Sequence, residues 1–283
     1  MTTTMLSRHS RAAATPSAAV RHSPTYTAAE CLTWRTLFDR QTALLYRRAP
    51  AAFFAGLRAL QLSREAPPDL AALSERLRSL AGWTLVPASG RASDEAYLAG
   101  LARRELPIAT WLRDRRDTEF LPGPDLFHDV FGHLPLLATE PAYARFLEKA
   151  GLLAARQHTL GTRAAPWLTR LLWHTTEFGL LTAPAGEKPQ VIGAALLSSA
   201  AELHRATSAP TEGAPPVRRP FRVADLLVTP MVRGAFQDQY FEADSWEALL
   251  AGLTEVGARL AAPGIAVASS TAPPFQVIKL AAI

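Results

Sequence analysis

The stretch that decides the fold is residues 120–137, which reads FLPGPDLFHDVFGHLPLL. Two histidines, His128 and His133, lie five residues apart in this otherwise apolar segment. Neutral imidazole is the commonest side-chain metal ligand, so the pair predicts a metal site. On an ideal α-helix, residues five apart point about 140° away from each other. Both rings can still meet one ion if it sits in a concave pocket at a helix end, where Gly132 and Pro135 loosen the turn.

Glu177 is the candidate for a third ligand. It stands in an apolar helical pattern, four residues after Trp173 and shortly before two leucines. A buried carboxylate is costly unless a cation or a hydrogen-bond donor compensates it, and a metal supplies such a cation. Two histidines and one carboxylate on one face of an ion form the facial triad of non-haem iron(II) oxygenases. A zinc hydrolase can use the same three ligands, so both classes stay open at this point.

Composition limits the other classes of function. Cys31 is the only cysteine, which excludes an internal disulfide and a cluster of several thiolates. The sequence has neither an apolar run long enough to span a membrane nor an apolar leader, so we expect a cytoplasmic protein without a membrane partner. The net charge of +5 lies partly in residues 1–24, which contain three arginines and no acid. Because the remainder is nearly neutral, we expect no nucleic-acid partner.

Hydrophobic periodicity predicts a mostly helical protein with minor β structure. Residues 1–24 show no apolar period and are predicted to be a disordered tail, which leaves a single domain at residues 25–283. Helices are predicted at residues 27–46, 51–62, 70–80, 93–104, 141–156, 165–181, 196–205 and 245–261. Short strands or turns are predicted at residues 83–87, 190–192, 225–227 and 240–242, with 105–113 extended.

Three segments together resemble the signatures of the pterin-dependent aromatic amino acid hydroxylases. They are FLPGPDLFHDVFGHLPLL, then WHTTEFGLL, then IGAALLSSAAEL, and the upstream LARRELPIATWLR also fits. Their order and spacing agree with the family over residues 26–261, and the chain is most similar to its short, single-domain phenylalanine 4-monooxygenases. The resemblance implies the family's catalytic-domain fold, a helical basket around a mononuclear iron site, and we expect a monomer.

The resemblance implies roles for the residues around the metal and the cofactor. It makes His128, His133 and Glu177 the ligands of an iron(II) ion. Tyr97 takes the place of an aromatic that stacks on a tetrahydropterin. Asp129 takes the place of an acid that reaches the pterin through water.

It also implies a substrate site. The residues that match the family's substrate-binding positions are Arg113, Pro124, Trp173, Ser198, Glu202 and Tyr240. Arg113 would hold the substrate's α-carboxylate, since a planar guanidinium donates two parallel hydrogen bonds to such a group. Ser198 and Glu202 would support that end, and the ring would pack against Trp173 and Pro124. Offset stacking on an aromatic ring contributes about 0.5–1.5 kcal/mol beyond buried area.

The implied activity is ring hydroxylation of a free aromatic L-amino acid, with iron(II), a tetrahydropterin and O2. L-Phenylalanine to L-tyrosine is the first expectation, and tryptophan hydroxylation is the second. The alternative from another class is a zinc-dependent hydrolase that uses a metal-bound water, but Asp129 is its only near candidate for a general base. A binding module without catalysis would predict the loss of a triad ligand, and none is lost.

Several positions depart from the family pattern. Those around the expected substrate pocket are Gly123, Leu172, His174, Ala195 and Glu242. Glu242 stands where a small aliphatic side chain commonly lines the amino acid pocket. These departures leave the three ligands intact and concern the choice of substrate.

Overall fold

The computed structural model describes residues 26–90, 92–119, 123–162, 164–183, 187–208 and 216–262. The predicted tail at residues 1–24 lies outside these ranges, and so do residues 120–122 of the quoted stretch. The domain boundaries therefore stay a prediction. Within the described ranges no helix is long and apolar enough to cross a membrane.

Helices dominate the fold, which confirms the predicted class. The α-helices are α1 (Ala28–Leu45), α2 (Ala51–Ala59), α3 (Leu70–Ala81), α4 (Asp94–Ala102), α5 (Leu134–Thr139), α6 (Pro141–Thr159), α7 (Ala165–Leu172), α8 (Ala194–Ser198), α9 (Ala200–Thr207), α10 (Val223–Val228) and α11 (Trp246–Ala261). A 3-10 turn covers Arg115–Asp117, and π-helical segments cover His128–His133 and Trp173–Glu177. Several helices begin at a side-chain cap, in which Thr27, Asp69, Ser93 or Ser245 accepts a backbone N–H three residues on.

Two small sheets complete the fold. In the first, β1 (Thr84–Ala88) and β2 (Glu105–Ala109) pair in parallel. The second has the order β4-β3-β6-β5 and is formed by β3 (Leu180–Leu181), β4 (Gln190–Val191), β5 (Val217–Pro220) and β6 (Gln239–Ala243). β6 lies in parallel between β3 and β5, whereas β3 and β4 are antiparallel.

Three predicted elements were wrong in their extent or type. The helix predicted to run to residue 181 stops at Glu177, because Phe178 leaves the helical backbone conformation and Leu180–Leu181 pair as β3 with β4 and β6. The helix predicted at residues 196–205 breaks at Ser199, which is extended and caps α9. Residues 225–227 are part of α10, whose helical spacing of Val223 and Leu226 is invisible in a three-residue window.

An aromatic cluster packs against the segment that contains His128 and His133. The Phe127 and Phe131 rings stack with their centroids 4.6 Å apart. Trp34 meets Phe127 edge-on at 5.3 Å, and Phe38 and Phe53 meet Phe131 at 5.3 and 5.4 Å. The phenylalanine side chains of the segment therefore pack into this aromatic cluster, and His128 and His133 lie on its opposite side.

Candidate metal centre and active-site cavity

His128 and His133 share one face because the segment between them is π-helical. A π-helix bonds residue i to residue i+5, so residues five apart are one turn apart. Their ring centroids lie 5.3 Å apart. The rings therefore meet through a widened turn, as expected, but that turn is a π-helical segment directly before α5 rather than the end of an α-helix. Gly132 is required here for close packing, since a Cβ on it would lie 2.7 Å from the Ala194 carbonyl oxygen.

Glu177 ends the other π-helical segment and closes the triad. Its Oε2 lies 3.2 Å from His128 Nε2 and its Oε1 lies 3.2 Å from His133 Nε2. One ligand atom from each of the three residues lies within 4.8 Å of the other two. The start of α8 packs tightly against Glu177. A Cβ on Gly193, the N-cap residue of α8, would come within 2.3 Å of the Glu177 carbonyl oxygen.

The outer nitrogens of both histidines are hydrogen-bonded, which directs their inner nitrogens toward Glu177. His128 Nδ1 lies 3.1 Å from Ser198 Oγ, and that hydroxyl donates to the Ala194 carbonyl at 2.8 Å. Ser198 therefore accepts from Nδ1–H, which leaves Nε2 available to a metal. His133 Nδ1 lies 2.8 Å from the Tyr143 hydroxyl.

The charges at the triad suit a divalent cation. Burial alone would raise the pKa of Glu177, but His133 and His128 outweigh it and hold that pKa below its ordinary value. Burial alone would lower the pKa of His128, but Glu177 outweighs it and raises that pKa. Two imidazole nitrogens and one charged carboxylate, converging from two segments, are a donor set for a first-row divalent metal. The residues present thus fit the predicted ion.

A cavity of about 430 Å³ opens beside the triad, within the size range of small-molecule sites. Both predicted pterin-side residues line it, together with two predicted substrate walls, and these residues are Tyr97, Asp129, Pro124 and Trp173. Asp129 accepts the Ala109 backbone N–H at 2.6 Å, and burial raises the pKa of its carboxyl to about 6. The cavity therefore combines an open metal face with apolar walls.

Trp173 is held by residues that the sequence did not single out. Its Nε1 donates to Gln237 Oε1 at 3.0 Å, and Gln237 Nε2 donates to the Val232 carbonyl at 2.6 Å. The Arg233 guanidinium lies 5.0 Å from the centre of the Trp173 ring and lines the cavity. Arg233 and Gln237 lie in an irregular segment between α10 and β6, which has no periodic signal to mark it.

Arg113 lies at a second, smaller cavity and is paired with Asp125. Arg113 Nε and Nη2 donate to the Asp125 carboxylate at 2.8 and 2.7 Å, and the two side chains are 2% and 0% exposed. Asp125 was missed, although an acid inside the apolar stretch at residues 120–137 was a usable signal. Arg113 Nη1 points toward the Ser198 carbonyl, 3.5 Å away. The residues that line this cavity include Arg113, His128, Ala195, Ser198 and Glu202.

Glu202 stands at the same cavity with one oxygen bonded and one not. Its Oε1 accepts the Tyr240 hydroxyl at 2.8 Å and the Gln237 backbone N–H at 3.0 Å. Its Oε2 is buried, and none of the described residues donates a hydrogen bond to it. Tyr240 is not among the residues that line the two cavities, and its hydroxyl bonds the Glu202 carboxylate, which does line the smaller one.

The departures from the family pattern fall in different places. Gly123 and Ala195 line both cavities, and Leu172 lines the larger one. Glu242 pairs with Arg218 at 3.0 Å and is not among the lining residues. The Glu242 carboxylate is therefore paired with Arg218 rather than directed into either cavity.

His174 is buried against Phe241, with ring centroids 5.3 Å apart, and its Nε2 lies 3.4 Å from the Thr229 carbonyl oxygen. Burial lowers the pKa of His174 to about 4. The Thr229 contact offsets part of this lowering, and the nearby Arg170 adds a smaller lowering of its own. When the pH falls below 6.5, the ordinary pKa of histidine, His174 takes up a proton in the unfolded chain. In the folded chain it stays neutral until the pH approaches 4.

His174 should therefore make stability fall as the pH drops. Its contribution is complete above pH 6.5 and is lost as the pH falls toward 4, by about 3 kcal/mol in all. We expect His174→Phe, which keeps an aromatic ring beside Phe241, to flatten the pH dependence of urea unfolding in this window. An unchanged difference in unfolding free energy between pH 7 and pH 5 would refute the assignment.

The chain matches known proteins over most of its length. Residues 17–267 match the family described as biopterin-dependent aromatic amino acid hydroxylase. The chain is 41% identical to phenylalanine-4-hydroxylase of Ralstonia nicotianae, over 79% of this chain and 69% of that protein. It is 37% identical to phenylalanine-4-hydroxylase of Caulobacter vibrioides, over 86% of this chain and 84% of that protein.

Solved structures of phenylalanine hydroxylase from Chromobacterium violaceum share the fold. One, with bound iron(III) and 7,8-dihydrobiopterin, has a TM-score of 0.74 and 36% identity and covers 83% of each chain. Another, with bound iron and phenylalanine, has a TM-score of 0.71 and 35% identity over 83% of this chain and 84% of that chain. The predicted helical basket is thereby confirmed.

Proposed function

The chain belongs to the biopterin-dependent aromatic amino acid hydroxylases, and we propose that it converts free L-phenylalanine to L-tyrosine. Its relatives with this activity cover most of the chain, which confirms the resemblance found in the sequence. The enzyme is a monooxygenase that uses iron(II), a tetrahydropterin and O2. The zinc hydrolase is not supported, because the three shared ligands stand in a chain that matches the hydroxylase family over residues 17–267.

The observation that carries the proposal is the convergence of the three ligand side chains at one face of a cavity. His128, His133 and Glu177 would hold iron, which together with the reduced pterin supplies the redox chemistry for oxygen insertion. Ser198 holds the His128 ring from outside, so that ligand needs no reorientation when metal binds. Three protein ligands leave room on the ion's cavity side for the reacting partners.

The smaller cavity suits the charged end of an amino acid. Arg113 Nη1 supplies a hydrogen-bond donor, because Asp125 occupies Nε and Nη2. Glu202 Oε2 supplies an acceptor with no protein donor among the described residues. A carboxylate beside Arg113 and an ammonium beside Glu202 would complete both groups. Tyr240 contributes by holding the other Glu202 oxygen in place.

The larger cavity suits two flat rings. Trp173 offers a wall fixed by Gln237, and Pro124 lines the same cavity, so an apolar ring can be positioned against them. Tyr97 and Asp129 line the cavity as well and would contact the pterin. With apolar walls around them, these residues orient the two ring systems and exclude water from the reacting atoms.

The prediction that the protein binds a small-molecule substrate agrees with the structure of a relative that contains phenylalanine. We keep as predictions that the protein is a monomer, binds neither nucleic acid nor membranes, and is cytoplasmic. The single domain at residues 25–283 and the tail at residues 1–24 are predictions of the same standing.

Steady-state turnover of different amino acids tests the substrate. We expect kcat/KM to be highest for phenylalanine, lower for tryptophan and lowest for tyrosine. Phenethylamine, which lacks the carboxylate, should lose about 10- to 100-fold in kcat/KM, since a charge-assisted hydrogen bond contributes about 1.5–3 kcal/mol. Glu242→Val is the matched control, because Glu242 pairs with Arg218 away from both cavities and the substrate order should not change.

Two results would contradict the substrate assignment. A higher kcat/KM for tryptophan would replace phenylalanine as the preferred substrate. Equal kcat/KM for phenethylamine and phenylalanine would remove Arg113 from the substrate site.

A further inference from the structure

We propose that Tyr143 is a positioning residue that holds His133 in the tautomer required for metal binding, an inference that rests on the proposed metal site. Tyr143 lies in α6, ten residues after His133, and is fully buried. Its hydroxyl lies 2.8 Å from His133 Nδ1. The sequence alone gave no sign of this contact, because Tyr143 reads as one more core position of α6.

The tautomer follows from where the two nitrogens of His133 point. Nε2 lies 3.2 Å from Glu177 Oε1 and is the nitrogen that would bind the ion. A neutral imidazole binds metal through the nitrogen that carries no proton, so its proton must be on Nδ1. The Tyr143 oxygen is the acceptor for that Nδ1–H. A histidine ligand is normally oriented by such a partner on its other nitrogen.

The hydroxyls that hold the two histidines are themselves kept in place in different ways. Ser198 is fixed by its own helix, because its hydroxyl also donates to the Ala194 carbonyl. Tyr143 is fixed by packing, since its ring stands edge-on to Trp246 of α11 with centroids 5.7 Å apart. The orientation of His133 therefore depends on the α6–α11 contact, through a single phenol oxygen that a phenylalanine would lack.

Metal titration of variants tests this role. Tyr143→Phe removes the hydroxyl and keeps the ring that packs on Trp246, so it should fold like the wild type. We expect its Kd for Co(II), followed by visible absorption, to rise about 10- to 100-fold, the usual effect of losing such a partner. Tyr240→Phe is the matched control, because it removes another fully buried phenol hydroxyl whose partner is Glu202. Its Kd for Co(II) should stay within about twofold of the wild type.

A second readout reports the tautomer itself. In the Zn(II)-loaded wild type with 15N-labelled histidine, NMR should show an exchange-protected proton on His133 Nδ1. In Zn(II)-loaded Tyr143→Phe that proton should exchange faster and shift upfield, while the His128 Nδ1 proton stays as it was.

The outcomes separate this inference from the proposed function. If the wild type binds no Co(II), or His133→Ala binds it as tightly as the wild type, the metal site itself is wrong. If the wild type binds Co(II) and folded Tyr143→Phe binds it equally well with an unchanged Nδ1 proton, the metal site stands and the role of Tyr143 is refuted. Equal weakening in Tyr143→Phe and Tyr240→Phe would also refute it, since the effect would then be one of general packing.

Discussion

Glu177→Gln should abolish hydroxylation while leaving the fold intact. Glutamine has nearly the same shape as glutamate, but its amide carries no charge and binds a divalent metal poorly. Losing a side chain that hydrogen-bonds a metal ligand already weakens metal binding about 10- to 100-fold, so we expect the loss of a ligand itself to weaken it more than about 100-fold. Iron content after dialysis, measured together with tyrosine formation, checks this expectation.

The control for this variant is Glu75→Gln, which removes an exposed carboxylate paired with Arg78 on α3. It should keep full iron content and full activity. A Glu177→Gln protein that retained stoichiometric iron and wild-type turnover would show that Glu177 is not a ligand. The same outcome for His128→Ala or His133→Ala would exclude that histidine.

Asp125→Asn should give the largest loss of stability in the substrate region. Arg113 and Asp125 form a buried ion pair, and breaking such a pair leaves a charge without compensation. We expect the free energy of unfolding to fall by about 3–5 kcal/mol, measured by urea denaturation. Asparagine keeps an oxygen that can still accept the His128 backbone N–H, which Asp125 Oδ1 accepts at 2.9 Å.

The double variant Arg113→Met/Asp125→Asn separates stability from substrate binding. Removing both charges eliminates the unpaired guanidinium, so most of the lost stability should return. The KM of the double variant for phenylalanine should nevertheless be higher than that of the wild type, because methionine at position 113 offers no hydrogen-bond donor to the substrate carboxylate. A double variant as unstable as Asp125→Asn would show that the cost is not the unpaired charge. A wild-type KM in a stable double variant would remove Arg113 from the substrate site.

The sequence was sufficient to predict three candidate ligands that the fold brings together, but not their geometry. His128 and His133 could be recognised by residue type and spacing, yet α-helical periodicity placed them on different sides. A π-helical turn arises from tertiary packing, here the approach of α8 to Gly132, and leaves no periodic signal in the residues.

Partners distant in sequence were the hardest to predict. Asp125 lies 12 residues from Arg113, and Gln237 lies 64 residues from Trp173. Burial forces such polar groups to pair, but which pair forms depends on how the segments cross. The family resemblance assigned Tyr240 to the substrate site and set Glu242 near it, but it gave no sign that Tyr240 bonds Glu202 and that Glu242 pairs with Arg218.

The most direct test of the proposed activity is tyrosine formation by the purified protein supplied with phenylalanine, O2, Fe(II) and a tetrahydropterin. We predict that tyrosine appears only when both Fe(II) and the pterin are present, and that neither NADH nor 2-oxoglutarate replaces the pterin. Zn(II) in place of Fe(II) should give no tyrosine. Turnover with 2-oxoglutarate and no pterin, or the absence of tyrosine in the complete mixture from protein that retains its iron, would contradict the account.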